Sequence, residues 1–149
     1  VDEAHLRQDA GLKAQISKIA ARSLMQPQAR GRPVVLVVED EPLLRQAAVL
    51  TIEDAGFDAL EAGTGSEAIS ILEKRSDTWV VFTDVQIPGS IDGLQLAHLI
   101  RVRWPPIKII ATSGQLRLRE DDLPVGGRYL HKPYSVFDLV HILKGWIGQ

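Results

Sequence analysis

Short apolar runs alternate along this chain with longer segments in which apolar positions recur every three or four residues. The first run, Val34 to Val38, is apolar and β-branched on both of its faces, which predicts a central parallel strand covered by helices on both sides. Pro42 follows where a first helical turn tolerates it, and Leu43, Leu44, Ala47, Ala48 and Leu50 to Ile52 carry a helix to Gly56. A short second strand is expected at Phe57 to Ala62. Thr64 with Glu67 then makes a capping box for a helix through Ala68, Ile69 and Leu72. After a third strand, Trp79 to Thr83, Pro88 and Gly89 turn the chain. Asp92-Gly93 opens a helix with Leu96, Leu99 and Ile100 on one side, and Trp104-Pro105-Pro106 ends it, because proline restricts the residue before it. A fourth strand, Ile107 to Ala111, leads into Gln115 to Asp122, whose weak period and charge predict only a brief or irregular helix. Tyr129 to His131 forms a fifth strand, and Ser135 caps a last helix, Val136 to Ile147.

Strands alternating with helices are the pattern of β-α-β units and a parallel sheet. Four of the runs end in residues suited to a phosphoryl group: Glu39, Asp40 and Glu41 after the first, Asp84 after the third, Thr112 and Ser113 after the fourth, Lys132 after the fifth. If the runs are parallel neighbours, these residues share the end of the sheet where open α/β folds bind ligands.

Composition permits this reading and trims the alternatives. The chain has 149 residues, 45% hydrophobic and 24% charged, enough for one well-buried core. The formal net charge of -2 is unevenly spread, because residues 1–32 are net basic and residues 33–149 net acidic. An acidic body suits a divalent cation better than a phosphate backbone, so no nucleic-acid partner is expected. With no cysteine, disulfide and thiolate chemistry are excluded. No run reaches the roughly 18 apolar residues of a membrane span, and no secretory leader is present, so a cytoplasmic address is expected. The four histidines, His5, His98, His131 and His141, lack metal-ligand spacing. Gly63-Thr64-Gly65 lacks the third glycine of a dinucleotide loop, and Glu67 would repel a pyrophosphate.

Four pieces in this order, Val-Glu-Asp-Glu-Pro from Val38, Thr-Asp-Val-Gln-Ile-Pro-Gly from Thr83 with Asp92-Gly93 after it, Ala-Thr-Ser-Gly from Ala111, and Tyr-Leu-His-Lys-Pro-Tyr from Tyr129, resemble a two-component response-regulator receiver domain. Each piece alone is weak; the ensemble is specific. The resemblance covers residues 33–149 and implies a doubly wound, flavodoxin-like α/β fold with five parallel strands in the order 2-1-3-4-5. Residues 1–32 would form an N-terminal helical extension and linker.

A carboxylate that accepts a phosphoryl group from phosphohistidine becomes an acyl phosphate, and the spreading negative charge needs a cation and positioned donors. Asp84, the lone carboxylate at its strand end, is the expected phosphoacceptor. Mg²⁺ demands hard oxygen ligands, which Glu39, Asp40 and Asp84 offer, and the resemblance adds the backbone carbonyl of Gln86. Lys132 would place a point charge, and Thr112 a hydroxyl, on the phosphoryl oxygens. The resemblance also implies a cis Lys132-Pro133 bond and makes Tyr129 an aromatic switch coupled to Thr112, the reading preferred over a tyrosine that just packs its ring and wets its hydroxyl. Plainer readings stand beside these: Glu41 is best taken as a helix-start charge, and Thr112 and Ser113 as possible helix caps.

Such a domain is a signalling switch rather than an enzyme, with a sensor histidine kinase or histidine phosphotransfer protein as partner in a bacterial phosphorelay. A pseudo-receiver that never takes phosphate is the alternative; a hydrolase or flavin protein on the same fold is a third, disfavoured because Gln86 stands where a hydrolase needs a second Asp. Two departures from the family pattern are visible. Gly89-Ser90-Ile91 lengthens one loop, and Gln115 to Gly127 shortens a segment of the face that rearranges on phosphorylation. In the extension, Leu12, Ile16, Ile19 and Leu24 make an apolar stripe before Pro27 and Gly31-Arg32-Pro33, either a docking helix or a partly ordered tail. The last helix carries apolar residues around more of its circumference than one core face requires, so it and the extension are candidates for a homodimer or kinase contact, with Ile142 and Trp146 as the residues to test. No further module is expected after Gln149, leaving a stand-alone regulator or a piece of a hybrid kinase open.

Overall fold

The computed structural model describes residues 31–148; the apolar stripe of the extension lies outside them. Five parallel strands form one sheet in the order β2-β1-β3-β4-β5. They are β1 (Val34–Val38), β2 (Asp58–Ala62), β3 (Thr78–Asp84), β4 (Lys108–Ser113) and β5 (Arg128–His131), joined by helices α1 (Pro42–Asp54), α2 (Gly65–Lys74) and α3 (Gly93–Arg103), with α4 (Val136–Gly145) last. The fold is the flavodoxin-like arrangement.

Burial explains why these residues take these places. Every residue of β1 is buried, because the strand is packed on both faces, as an all-apolar, β-branched run requires. One core layer joins Leu36, Val38, Val81 and Ile109 to Leu72 of α2 and to Leu96 and Ile100 of α3. The opposite layer joins Val35, Val37, Phe82 and Ile110 to Ile52 of α1 and to Leu139 and Leu143 of α4. Each such side chain contributes roughly 1.5–3 kcal/mol by leaving water. An Asp at Val37 would strand a charge among the apolar side chains of the second layer, which cannot solvate it.

The helix starts follow the local chemistry. Glu41 caps α1 by accepting from the Leu43 amide, ahead of Pro42 in the first turn. Thr64 accepts from the Glu67 amide, while the Glu67 carboxylate reaches one residue further back, to the Gly63 amide at 2.8 Å. Asp92 and Gln95 make a reciprocal capping box on α3, and Ser135 caps α4.

The structure revises three details and bears out a fourth, the brief helix expected between β4 and β5. Strand β2 begins at Asp58; Phe57 is instead buried and stacked on Trp79, their ring centroids 5.5 Å apart. The connection from β4 to β5 holds only a 3₁₀ turn, Glu120–Asp122, because three consecutive acids and the Pro124-Val125-Gly126-Gly127 stretch supply no apolar face for a longer helix to bury. Helix α4 stops at Gly145, with Trp146 as its C-cap. Finally, Ile142 belongs to the core, 6% exposed beside Leu139 and Leu143, so the surplus apolar surface is Val136 and Phe137 on α4 and Ile147 just beyond its end.

Register is what builds the site. Val38 pairs with Thr83, Asp84 with Thr112, Thr112 with Leu130 and Ser113 with His131. Residues just past the strand ends are held too: the Glu39 amide donates to the Ala62 carbonyl at 3.0 Å, Val85 to Thr112 at 2.8 Å and Lys132 to Ser113 at 2.9 Å. Side chains from four separate strand ends therefore converge.

Candidate functional site

Glu39, Asp84 and Lys132 meet at the carboxyl end of the sheet. The Lys132 ammonium donates to Glu39 Oε1 at 2.8 Å and to Asp84 Oδ2 at 2.7 Å. The other oxygen of Asp84 accepts from the Gln86 amide at 2.9 Å, and the other oxygen of Glu39 from the Glu41 amide at 3.1 Å. Asp84 is 8% exposed and Glu39 7%, so both carboxylates sit where charge is costly unless it is matched. The Lys132-Pro133 peptide bond is cis.

Electrostatics follow from that crowding. Burial raises the Glu39 carboxyl above its ordinary value, only partly opposed by the hydrogen bonds from Lys132 and the Glu41 amide. Burial works to lower the Lys132 ammonium, yet its bonds to Asp84 and Glu39 outweigh that and hold it above the usual lysine value. The pair thus keeps its proton on the nitrogen.

Asp40 is exposed and completes an acidic group: carboxylate oxygens of Glu39, Asp40 and Asp84 all lie within 4.8 Å of one another. Three hard oxygen donors share the single positive charge of Lys132, an imbalance that suits a small divalent cation such as Mg²⁺. Thr112 lies beside Asp84 in the register, 3% exposed, and its buried Oγ1 has no hydrogen-bond partner. A buried hydroxyl without a partner loses about 1–3 kcal/mol, so it is a donor waiting for an acceptor. Thr112, Asp84, Glu39 and Lys132 all line one cavity of about 430 Å³, whose remaining wall is mostly apolar, with Leu44, Ala47 and Val136 among it.

Residues 35–144 match the family model described as response regulator receiver domain. The chain belongs to this family. The receiver is similar to the probable transcriptional regulatory protein TcrX of Mycobacterium tuberculosis, 33% identical over 125 residues that make up 81% of this chain and 53% of TcrX. It is similar to the sensor kinase CckA of Brucella abortus, 34% identical over 121 residues, 76% of this chain and 12% of that protein. Among solved structures, the response regulator receiver protein from Pseudomonas putida aligns with a TM-score of 0.69 at 30% identity, covering 77% of this chain and 98% of that one. The chain spans under two thirds of the curated relatives named here. The family serves two-component phosphorelay signalling as a module rather than as a conventional enzyme, its relatives here are bacterial, and Mg²⁺ and aspartyl phosphate are typical of it.

Other expected residues lie around the receiver's acidic end. Gln86 is exposed; its side chain donates to Gln115 at 3.2 Å and accepts from Ser113 Oγ at 3.4 Å. Tyr129 is half-buried, and its hydroxyl donates to the carbonyls of Leu116, at 2.7 Å, and Ser113, at 3.3 Å; it contacts the backbone on both sides of Gly114 rather than the Thr112 hydroxyl. Ile91, from the lengthened loop, packs against Gly65 at the start of α2, which anchors the extra residue away from Asp84.

Three contributors were not singled out from sequence. Arg45 donates through Nη1 to the Glu39 carbonyl at 2.8 Å and through Nε to Glu61 at 3.1 Å, fixing the strand end beneath the acids; its place one helical turn after Glu41 was the available signal. Tyr134 lines the cavity and meets Phe82 edge-on at 5.6 Å, and burial raises its phenol above the ordinary tyrosine value. At Gly93, an added Cβ would overlap the Asp84 carbonyl oxygen, so α3 starts hard against the acid's own backbone. Sequence showed this glycine only as a helix opener.

Among the described residues no helix is long and apolar enough to cross a membrane.

Proposed function

We propose that this receiver is a phosphorylation-controlled switch that takes a phosphoryl group onto Asp84 from a phosphohistidine of a sensor histidine kinase or histidine phosphotransfer protein. The observation that carries the reading is the pairing of a buried Asp84 with Lys132 at 2.7 Å, beside a buried Thr112 hydroxyl that lacks a partner. A carboxylate oxygen of Asp84 attacks phosphorus, the P–N bond to the donor imidazole breaks, and the imidazole keeps the bonding electron pair and takes up a proton. The Gln86 amide holds one Asp84 oxygen, which fixes the carboxylate plane for in-line attack. As Asp84 becomes an anhydride its own charge moves onto the phosphoryl oxygens, and the Lys132 ammonium follows it. Thr112 Oγ1 then donates to one of those oxygens.

Glu39, Asp40 and Asp84, with the Gln86 carbonyl, would hold Mg²⁺, which when bound supplies neutralising charge for the transferring group. Aspartyl phosphate would shift the balance between two conformations, read out through Thr112 and Tyr129. In this reading residues 33–149 are the receiver, residues 1–32 an extension to it, and the site of action is the cytoplasm, with a protein rather than a nucleic acid as partner. Intact-mass measurement after acetyl phosphate and Mg²⁺ tests it: wild type gains one phosphate and Asp84→Asn none. A wild type that gains none would instead mark a phosphate-independent pseudo-receiver.

A further inference from the structure

We propose that a second site, at the amino ends of the strands and away from Asp84, binds a nucleoside monophosphate. The proposal goes beyond phosphoryl acceptance and does not depend on it. A cavity of about 460 Å³ lies there, between the closing turns of α2 and α3 and the first residues of β3 and β4. Small-molecule sites usually enclose about 300–1,000 Å³. Leu72 and Ile107, both buried, form the apolar floor, and the Trp104-Pro105-Pro106 corner forms one wall. Flat and apolar surfaces of this kind suit an aromatic ring.

A bulge delivers one polar group to this cavity. Val34 pairs with Thr78 but Val35 with Val80, so Trp79 is the extra residue of β3. Trp79 packs into the same layer as Val80, and Thr78 turns to the side of α2 and α3, where it lines the cavity. Re-aiming a side chain is what bulges commonly do. Thr78 is 8% exposed, and its buried Oγ1 has no hydrogen-bond partner among the described residues. An unpaired buried hydroxyl destabilises the fold, and an acceptor on a bound ring would relieve it. The walls are held before any ligand arrives. Arg101 donates to the carbonyls of Pro105 and Ile107, both at 2.7 Å, which fastens the proline corner. The Arg103 guanidinium lies 4.4 Å from the centroid of the Trp104 ring and donates to Glu73 at 2.9 Å, tying α3 to α2. Arg75 and Asp77 form a two-pronged pair at 2.9 and 2.6 Å. Preorganised walls reduce the ordering cost of binding.

Charge selects an anion. Lys74, Arg75 and Arg103 line the cavity against Glu73 alone, a basic patch on a body that is net acidic. Part of that basicity complements the negative ends of the two helices. Lys74, however, is exposed and has no acidic partner among the described residues, so its ammonium is available to a phosphate. A nucleobase joined to a phosphate meets both halves of the site: acceptors on the ring edge for Thr78, apolar walls for the ring, and cations for the charged end. Because the cavity opens at the opposite end of the sheet from the acids, it can be filled while Asp84 is engaged.

Isothermal titration calorimetry of the full chain with AMP tests the idea, with adenosine and inorganic phosphate as its two halves. One AMP per chain is expected, with a dissociation constant on the order of 10–100 μM, and each half should bind at least about tenfold more weakly. Thr78→Val and Lys74→Ala are each expected to weaken AMP binding by about tenfold. Thr78→Val should do so while raising the thermal midpoint of the free chain, because it deletes an unpaired hydroxyl; the midpoint of Lys74→Ala, changed at an exposed side chain, checks that it folds. In an isotope-labelled sample, amide chemical shifts should move with AMP at residues 72–78 and 103–107. No binding up to millimolar AMP, phosphate alone binding as tightly as AMP, an affinity indifferent to either substitution, or shift changes confined to the acidic end around Asp84 overturns the proposal. Phosphate uptake from acetyl phosphate is measured separately on wild type, so failure of nucleotide binding and failure of the phosphoacceptor role remain distinguishable.

Discussion

Replacing Gly93 by alanine measures how tightly the start of α3 is pressed against the strand end that carries Asp84. The new methyl carbon would stand 2.7 Å from Val85 Cα and 2.8 Å from the Asp84 carbonyl carbon. Non-bonded carbons rest at about 3.5–4.0 Å, so the helix and strand end must separate by roughly 1 Å. Those neighbours are backbone atoms that cannot rotate aside, and the Gly93 amide also donates to Val85 at 2.9 Å. Overpacking of this kind costs about 1–3 kcal/mol. Gly145 is the internal control: it ends α4 and an added Cβ there meets nothing within 4 Å, so Gly145→Ala is expected to stabilise by about 0.4–1 kcal/mol. In a domain of this size each kcal/mol moves the thermal midpoint by about 2–4 °C, which puts the two variants on opposite sides of wild type. Because Asp84 itself is displaced, Gly93→Ala should also slow phosphate uptake from acetyl phosphate by up to about a hundredfold. A Gly93→Ala protein as stable as Gly145→Ala, or one that takes up phosphate at the wild-type rate, would refute the close approach.

Titrating Mg²⁺ while following the thermal midpoint should stabilise wild type, by about 2.7 kcal/mol once the ion reaches a hundred times its dissociation constant; Asp40→Asn should need markedly more ion for the same rise. Ile142→Ala should lose about 2–5 kcal/mol in urea denaturation, as a core deletion does, whereas a surface position would lose almost nothing. In alkali, the Tyr134 phenol keeps its proton in the fold above its ordinary value of 10.0. The unfolded chain therefore releases that proton first, and stability falls as pH rises from about 10 toward the folded value. Tyr134→Phe should flatten the fall between these limits, leaving the share due to Lys132, whose raised ammonium acts in the same direction from 10.5 upward.

Much of this architecture is legible in the residues because its signals are local and agree with one another. The Val34 to Val38 run, Pro42, Thr64 with Glu67, and Asp92 before Gly93 each state an element or a boundary within a few positions. The convergence of Glu39, Asp84, Thr112 and Lys132 is legible for a different reason: parallel strands place all their ends together, so marking the ends marks the site. What escaped depends on distance in space. That Gly93 meets Asp84, or that Arg45 reaches the Glu39 carbonyl, follows from packing between elements. Ile142 was misjudged because helical apolarity alone does not say which side faces inward; Leu139 and Leu143 share its buried side, while Val136 and Phe137 do not. Phe57 reads as a strand residue by composition, yet its amide donates to the Ile52 carbonyl at the end of α1 at 3.2 Å, which keeps it out of the ladder.

The two outermost strands are short, five residues in β2 and four in β5, and both expose charge: Asp58 and Glu61 on one, Arg128 on the other. An unfinished ladder invites further chains to add to it, and brevity with charged side chains is how natural sheets discourage that. Growth of this protein into cross-strand fibres is thereby discouraged at both flanks.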